Sequence, residues 1–375
     1  MRGAGPAGPD AADAYALRHL AETGIGLGGS GPSKIGPTGS DPSGTVVVFG
    51  DRTGELVAAL PGSTLITDSF LAREAVRARA DSSATKLLTT RDEPPERIDV
   101  LVVRVPKSLA LLEDQLHRLA PRLHSESVVL GTGKVTEIHT STLKLFEQLV
   151  GPTRTSLAER KARLIFSEPD PALVRPENPW PYSYPLPVDA TLGPASGREV
   201  VNHAGIFCAD RLDLGTRFLL EHLPHRHGAD DVIDLGCGNG VLGLAAALEN
   251  PDARLTFIDE SFQAVASARA TYAAHLAPER VAAGEFRAGD ALEGVPSASA
   301  DLVLNNPPFH SHRATTDAAA WRMFTGARRV LRPGGELWVV GNRHLGYHGK
   351  LRRVFGNCDT VAGSPKFVIL RSTRR

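Results

Sequence analysis

Three apolar segments of this chain occur twice, in the same order and with similar endings. Val46-Val47-Val48-Phe49-Gly50-Asp51 is matched by Val232-Ile233-Asp234-Leu235-Gly236-Cys237. Leu65-Ile66-Thr67-Asp68-Ser69-Phe70 is matched by Phe257-Ile258-Asp259-Glu260-Ser261-Phe262, each before an alanine-rich stretch. Asp99-Val100-Leu101-Val102-Val103-Arg104 is matched by Asp301-Leu302-Val303-Leu304-Asn305-Asn306. Short, uniformly apolar runs are strands buried on both faces, and the alanine- and leucine-rich stretches between them are helices. Such alternation builds a parallel sheet covered by helices on both sides. A repeat of the whole pattern is an internal duplication. The expected fold is therefore α/β, with two tandem doubly wound Rossmann-like domains.

Punctuation along the chain sets the expected boundaries. Residues 1–44 hold a short helical stretch, Asp10 to Glu22, between Gly/Ser/Pro-rich runs, and are expected to be flexible. Residues 45–168 form the first domain and 191–375 the second. Between them, 169–190 carries Pro169, Pro171, Pro176, Pro179, Pro181, Pro185 and Pro187, which suits an extended linker because proline donates to no ladder. Lys plus Arg is 42 and Asp plus Glu is 42, so net charge does not advertise a polyanion partner. The three cysteines Cys208, Cys237 and Cys358 form no CxxC pair. That argues against a disulfide framework or a zinc site and suits a reducing cytoplasm. No apolar run is long enough to span a bilayer, so no membrane partner is expected.

The copies differ where a ligand would sit. In a doubly wound sheet, ligands lie beyond the carboxyl ends of the strands, where strand order switches. There the second copy has Gly236-Cys237-Gly238-Asn239-Gly240, and the first keeps only Gly50 and Gly54. Glycine lets a backbone turn sharply and approach a ligand. Asp259 ends the next strand, suited to accept from ribose hydroxyls. Asp290 follows the third strand, suited to accept from an adenine amino group. Asp234, inside the motif, is placed to orient an ammonium. A nicotinamide or flavin site is the competing reading. An acid already at Asp234, with no sign of a pyrophosphate cradle, favours the zwitterion S-adenosylmethionine. Cys237 fits best as a small apolar filler, and His203, His225 and His227 lack metal-ligand spacing.

Asn306-Pro307-Pro308-Phe309 follows the last duplicated strand. The exocyclic amine of a base is a poor nucleophile because its lone pair is delocalised. A catalyst must hold that nitrogen in line with the methyl group and offer acceptors to its N–H bonds. The Asn306 side-chain oxygen and the Pro307 carbonyl are suited to that. Pro307 and Pro308 stiffen the loop, and Phe309 offers a face for stacking. A bare proline turn capping a strand is the bland alternative, and the position beside the glycine motif argues against it. His310 and His312 are read as solvated loop residues and Trp321 as a helix packing residue. The first copy has Arg104-Val105-Pro106-Lys107 instead and is expected to have lost cofactor and catalysis.

At these residues the chain resembles the ribosomal RNA guanine-N2 methyltransferases of the RsmC/RlmG kind. The resemblance runs from about Thr45 to the end. It includes Lys107–Glu113, His139–Leu143, Gly205-Ile206-Phe207 with Asp213-Leu214-Gly215, Asn306–His310, Asn342–Leu345 and Phe355–Cys358. The last two are closer to the large-subunit (23S) branch than to the 16S branch. The resemblance implies two class I methyltransferase folds, the N-terminal one cofactor-free and engaged in RNA recognition. It implies functional roles for Asp234, Gly236, Gly238, Asp259, Asp290 and Asn306. The Gly/Ser/Pro insertion at 24–44 and the Pro-rich linker depart from the family pattern.

The expected partner is ribosomal RNA, naked or within a subunit precursor, and the chain is expected to act as a cytoplasmic monomer. From Arg322 to Arg375 there are twelve Lys/Arg and two acids. Arg328, Arg329, Arg332, Arg343, Lys350, Arg352 and Arg353 are candidates for phosphate contact. Arg104, Lys107, Lys134, Lys144, Arg160, Lys161 and Arg163 are candidates in the first copy. A solvated basic face is the alternative for any one of them. Other activities remain open at this point: 16S guanine-N2, adenine-N6 or protein glutamine-N5 methylation, or a non-catalytic RNA-binding assembly factor.

Overall fold

The computed structural model describes residues 10–25, 44–79, 84–308 and 313–375. The chain divides into two units, Met1–Pro179 and Trp180–Arg375.

The first unit runs α1 (Ala11–Thr23), β1 (Val46–Phe49), α2 (Glu55–Ala59), β2 (Thr64–Thr67), α3 (Phe70–Arg77), β3 (Lys86–Thr89), β4 (Ile98–Arg104), α4 (Leu109–Leu119), β5 (Leu123–Lys134), α5 (Thr140–Leu149), β6 (Thr153–Thr155) and β7 (Ala162–Ser167). The second unit opens with a hairpin, β8 (Tyr182–Pro185) and β9 (Glu199–Asn202). It continues α6 (Leu214–Leu220), β10 (Asp231–Leu235), α7 (Val241–Glu249), β11 (Arg254–Asp259), α8 (Phe262–Ala273), α9 (Pro278–Ala283), β12 (Glu285–Ala288) and β13 (Ala300–Asn305). The unit closes with α10 (Arg313–Val330), β14 (Leu331–Asn342), α11 (Tyr347–Phe355), β15 (Asp359–Gly363) and β16 (Phe367–Thr373).

The two main sheets have the same strand order, β3-β2-β1-β4-β5-β7-β6 and β12-β11-β10-β13-β14-β16-β15. In each, six strands run in one direction and the penultimate strand in the order, β7 or β16, runs antiparallel to its neighbours. The duplication expected from sequence is thus reproduced down to topology. Side chains alternate between the faces of each sheet. Val232 packs on one face, with Val241 and Leu242 of α7 and Leu219 and Leu220 of α6. Ile233 and Leu235 pack on the other, with Phe324 of α10 and Leu351 of α11. In the first unit Val48 meets α1 through Ala16 and Leu20, and Val47 and Phe49 meet α4 and α5. Helices α1 and α6 therefore occupy corresponding places, each preceding the first strand of its seven-stranded sheet.

Two boundaries differ from the sequence expectation. The helix within 1–44 belongs to the first unit: Ala12, Ala16 and Leu20 are fully buried, and Thr132 Oγ1 donates to Ala12 O at 2.6 Å. Its apolar stripe is short and flanked by breakers, so composition hides it. Residues 26–43 of the Gly/Ser/Pro insertion lie outside the described residues. The Pro-rich segment is not a free linker. Asp170 N donates to Val150 O at 2.9 Å and Arg175 Nε to Leu149 O at 2.7 Å. Further on, Tyr184, Leu186 and Leu192 enter the second core. Its prolines leave enough donors between them for strand β8 to pair with β9.

Candidate active site

The order of each sheet switches beside its first strand, between β10 and β13 in the second unit. Leu235 pairs with Asn305 across that switch and with Ile258 on its other side. The glycine turn, the end of β11 and the end of β13 therefore meet at one carboxyl edge.

In the turn, Gly236 and Cys237 donate to Ile258 O at 2.8 and 3.0 Å. Gly240 has φ 76°, and a Cβ there would stand 2.7 Å from Ala268 Cα, so it lets α7 start against α8. Gly238 has φ 52°, and nothing lies within 4 Å of where its Cβ would be. Gly240 meets a packing demand; Gly238 leaves room.

Asp234 is 1% exposed. Its Oδ2 accepts the Gly243 N–H at 2.8 Å, tying α7 to β10, and its Oδ1 is buried without a partner. Burial pushes its carboxyl up to about 8, with the Gly243 bond opposing and the Asp259 charge adding. Asp259 accepts Gly238 N–H on Oδ2 and Ser261 N–H on Oδ1, both at 3.0 Å, with a further bond from the Glu260 backbone. Burial raises its carboxyl too. Three backbone donors leave one of a carboxylate's roughly four acceptor positions. To bind two ribose hydroxyls, Asp259 would have to release a loop N–H. Asp290 is held by Arg322, Nε to Oδ1 at 3.1 Å. Cys237 is buried in the core, as a filler would be.

At the end of β13, Asn305 donates from Nδ2 to Leu235 O at 2.7 Å, locking the two strand ends together. Asn306 donates from Nδ2 to Asp213 Oδ2 at 3.1 Å and to Thr216 Oγ1 at 2.8 Å. Its Oδ1 is buried and has no partner in the protein. An unpaired carbonyl oxygen costs stability unless something else fills it. Pro307 is buried and Pro308 exposed. Phe309, His310 and His312 lie outside the described residues. Asn305, Asp213 and Thr216 were not read as site residues from sequence. Asp213 with Thr216 does have the look of a helix N-cap, but that pattern carries no hint of a partner ninety residues away.

In the first unit the corresponding edge is closed. Arg104 is 1% exposed and ion-paired to Asp10 at 3.0 Å, Asp13 at 3.0 Å and Glu137 at 2.8 Å. It is not available to phosphate, against the expectation from its charge. Lys107, Lys134, Lys144, Arg160 and Lys161 are exposed. In the second unit Arg329 donates to Val295 O and Leu292 O, and Arg332 pairs with Asp231 and Asp301 at the starts of β10 and β13, the end opposite Asn306. Arg332 is thereby tied to two strand starts, and Arg329, though exposed, to the loop before β13. Lys350 pairs with Asp317, whereas Arg328, Arg352 and Arg353 are exposed. Trp321, expected to pack, is 37% exposed with the Arg353 guanidinium 5.5 Å from its ring centre. Among the described residues no cluster of three or more potential metal ligands occurs, and no helix is long and apolar enough to cross a membrane.

Comparison with known proteins matches a separate family domain to each unit. Residues 197–371 match the methyltransferase small domain, and residues 8–171 match the RLMG N-terminal domain. The ribosomal RNA large subunit methyltransferase G of Streptomyces avermitilis is 64% identical over 98% of this chain and 93% of its own length. That of Pseudomonas syringae pv. syringae is 44% identical over 97% and 93%. Among solved structures, the T. thermophilus 16S rRNA N2 methyltransferase in complex with AdoMet and guanosine superposes with a TM-score of 0.74 at 21% identity, covering 90% of both chains. It shares the two-unit fold. With a methyltransferase domain matched in the second unit, a closed edge in the first and relatives aligned across both, the chain belongs to the ribosomal RNA large subunit methyltransferase G family.

Proposed function

We propose that the protein transfers the methyl group of S-adenosylmethionine to the exocyclic N2 amine of a guanine in large-subunit (23S) ribosomal RNA. The observation that carries this reading is Asn306, an amide whose nitrogen is engaged and whose buried oxygen is free at the carboxyl edge. The family supports ribosomal RNA as the substrate, and the cytoplasm is the place of action that suits it.

The residues present fit the cofactor. Space beside Gly238 and the unpaired Asp234 Oδ1 suit a ligand bearing a donor, and Asp259 has an acceptor position left. Gly236, Gly238 and Gly240 would line it, Asp259 would take ribose hydroxyls, Asp290 the adenine edge, and Asp234 the ammonium side. Bound there, S-adenosylmethionine supplies an electrophilic methyl group. Asn306 Oδ1 accepts an N–H of the target amine, fixing the nitrogen's direction of attack and stabilising its change towards tetrahedral geometry. An amide is too weak a base to keep a proton, so the proton lost from nitrogen passes to water. Pro307 and Pro308 restrict the loop's backbone. Phe309 is assigned the stacking face on its position in the sequence alone.

Mass spectrometry of ribosomal RNA from cells lacking the protein tests this. The expected result is loss of N2-methylguanine at one position of 23S RNA, restored by the wild-type gene. Loss from 16S RNA, loss of N6-methyladenine, or no loss would overturn it.

A further inference from the structure

Asn306 sits at the end of one strand, but another element decides which way its amide faces. Asp213 is the N-cap of α6 and accepts the Thr216 N–H on Oδ2 at 2.8 Å. That oxygen also faces the Thr216 hydroxyl at 3.3 Å and Asn306 Nδ2 at 3.1 Å. A carboxylate donates nothing, so the Thr216 proton goes to Asp213 and the Thr216 oxygen is left to accept from Asn306 at 2.8 Å. Both groups therefore demand the NH2 side of the amide. A flip would set the Asn306 carbonyl against a carboxylate oxygen. Gly215, between the two, keeps the space beside the amide clear: a Cβ there would lie 3.0 Å from Asp213 Oδ2 and 3.6 Å from Asn306 Oδ1.

The first unit carries the same arrangement with different contents. Asp10 is the N-cap of α1, and Asp13 stands at the position of Thr216. Both hold Arg104, which follows Val103 as Asn306 follows Asn305, and Phe49 pairs with Val103 as Leu235 pairs with Asn305. The duplicated framework thus includes a latch from the first turn of α1 or α6 to the last residue of β4 or the first residue past β13. Where that residue is charged the latch closes an ion pair. Where it is an amide, the latch chooses which end is presented.

We propose that Asp213 and Thr216 are positioning residues that hold Asn306 with its carbonyl oxygen turned towards the amine of the target base. This rests on the reading of Asn306 given above. Thr216→Val keeps the side chain's shape and the backbone N–H that caps α6, and removes only the hydroxyl. Its single-turnover methylation rate is expected to fall about 10- to 100-fold. S-adenosylmethionine affinity and melting temperature should stay at wild-type values, and Thr216→Ser should recover the rate. Combined with Asn306→Ala, Thr216→Val should slow the reaction no further, because the two act through one group. Should Thr216→Val prove unstable, Thr216→Ala decides: it removes the same hydroxyl, keeps the backbone N–H that caps α6, and should slow transfer likewise. A wild-type rate in Thr216→Val beside a slow Asn306→Ala overturns the latch and leaves Asn306 catalytic. An additive double variant also overturns the latch, since Thr216 then acts elsewhere. A wild-type rate in Asn306→Ala removes the reading of Asn306 and the latch with it.

Discussion

Arg104 ends β4 and Asn306 follows β13, at corresponding positions of two sheets with the same strand order. Around them the units diverge position by position. Gly238 corresponds to Arg52, whose guanidinium donates to Glu137 Oε1 and Val105 O, both at 3.2 Å. Asp259 corresponds to Thr67 and Asp234 to Val48, through the strand alignments. The first unit has filled its edge with side chains that ion-pair with one another, although Asp13 Oδ1 and Arg104 Nε face each other at 3.0 Å without a hydrogen bond. The second keeps polar atoms with nothing to bond: Asp234 Oδ1, Asn305 Oδ1 and Asn306 Oδ1. Unsatisfied buried oxygens lower stability, so their concentration at one edge marks where stability was given up for binding. The difference teaches that this sheet tolerates either outcome, and that a few side chains decide between a plug and a site.

The sharpest way to break the comparison is to open the plug. Arg104→Ala leaves Asp10, Asp13 and Glu137 without their common cation, the last two nearly buried. Removing one partner of a buried ion network costs about 3–5 kcal/mol. The first unit should unfold at markedly lower denaturant, while S-adenosylmethionine binding by the folded protein is unchanged. Denaturant unfolding followed beside isothermal titration checks this. Unaltered stability, with RNA affinity lowered instead, would mean that Arg104 is reachable by RNA.

Asn306→Ala should do the opposite. It removes an acceptor used as the amine rehybridises, so the loss belongs in the rate. Such preorganised groups are worth about 100- to 1000-fold, or about 2.7–4 kcal/mol. Melting temperature and cofactor affinity should hold. Single-turnover methylation with labelled cofactor measures it, and a near-wild-type rate would displace the active site from this edge.

What was legible in the sequence followed from contiguity. Gly236, Gly238, Gly240, Asp259 and Asn306 each lie in a short strand-and-turn signature, and the fold brings those signatures to one edge by register alone. The duplication was visible because buried strands are uniform runs. What escaped was long-range or depended on burial. Asp213 and Thr216 reach Asn306 across some ninety residues through hydrogen bonds that no local pattern encodes. Arg104 looked like a phosphate ligand because charge is visible in a sequence and its 1% exposure is not. Helix α1 does not stand out in the sequence because its buried residues, Ala12, Asp13, Ala16 and Leu20, make a short and weakly apolar stripe, and no local pattern shows that Arg332 is tied to two strand starts or Arg329 to the loop before β13.

A third test converts one feature of the site to its counterpart in the plug. Asp259→Thr places the residue of position 67 at the end of β11. It keeps an acceptor for Ser261 N–H, as Thr67 Oγ1 accepts from Ser69 N–H, but removes the acceptor for Gly238 N–H and the one proposed for ribose. Lost hydrogen bonds to a charged group cost about 1.5–3 kcal/mol, so cofactor affinity should fall about 10- to 150-fold. Titration calorimetry on the full chain reads it. Unchanged affinity would show that the ribose is held elsewhere.

The smallest effect, taken over one pH unit, concerns Asp234, whose counterpart Val48 cannot titrate. Its carboxyl has an ordinary value of 3.8 and is pushed by burial to about 8 in the folded chain. Between those limits the folded state holds a proton that the unfolded chain has released, so this group's contribution to stability falls as pH rises. The slope is at most about 1.4 kcal/mol per pH unit, and the contribution levels off above pH 8. Cofactor binding should show the reverse trend. If Asp234 faces the ammonium, binding favours the carboxylate and expels the proton. Affinity should then rise with pH, by up to about tenfold per unit, until about pH 8. Asp234→Asn keeps the shape and the Gly243 bond but cannot ionise, so both trends should flatten in it. Thermal unfolding and cofactor titration at pH 6, 7, 8 and 9 on the two proteins separate the contributions. A wild-type affinity that is flat with pH would place the ammonium away from Asp234, and a slope shared by Asp234→Asn would assign it to another group, with Asp259, which also carries a raised carboxyl, the first to examine.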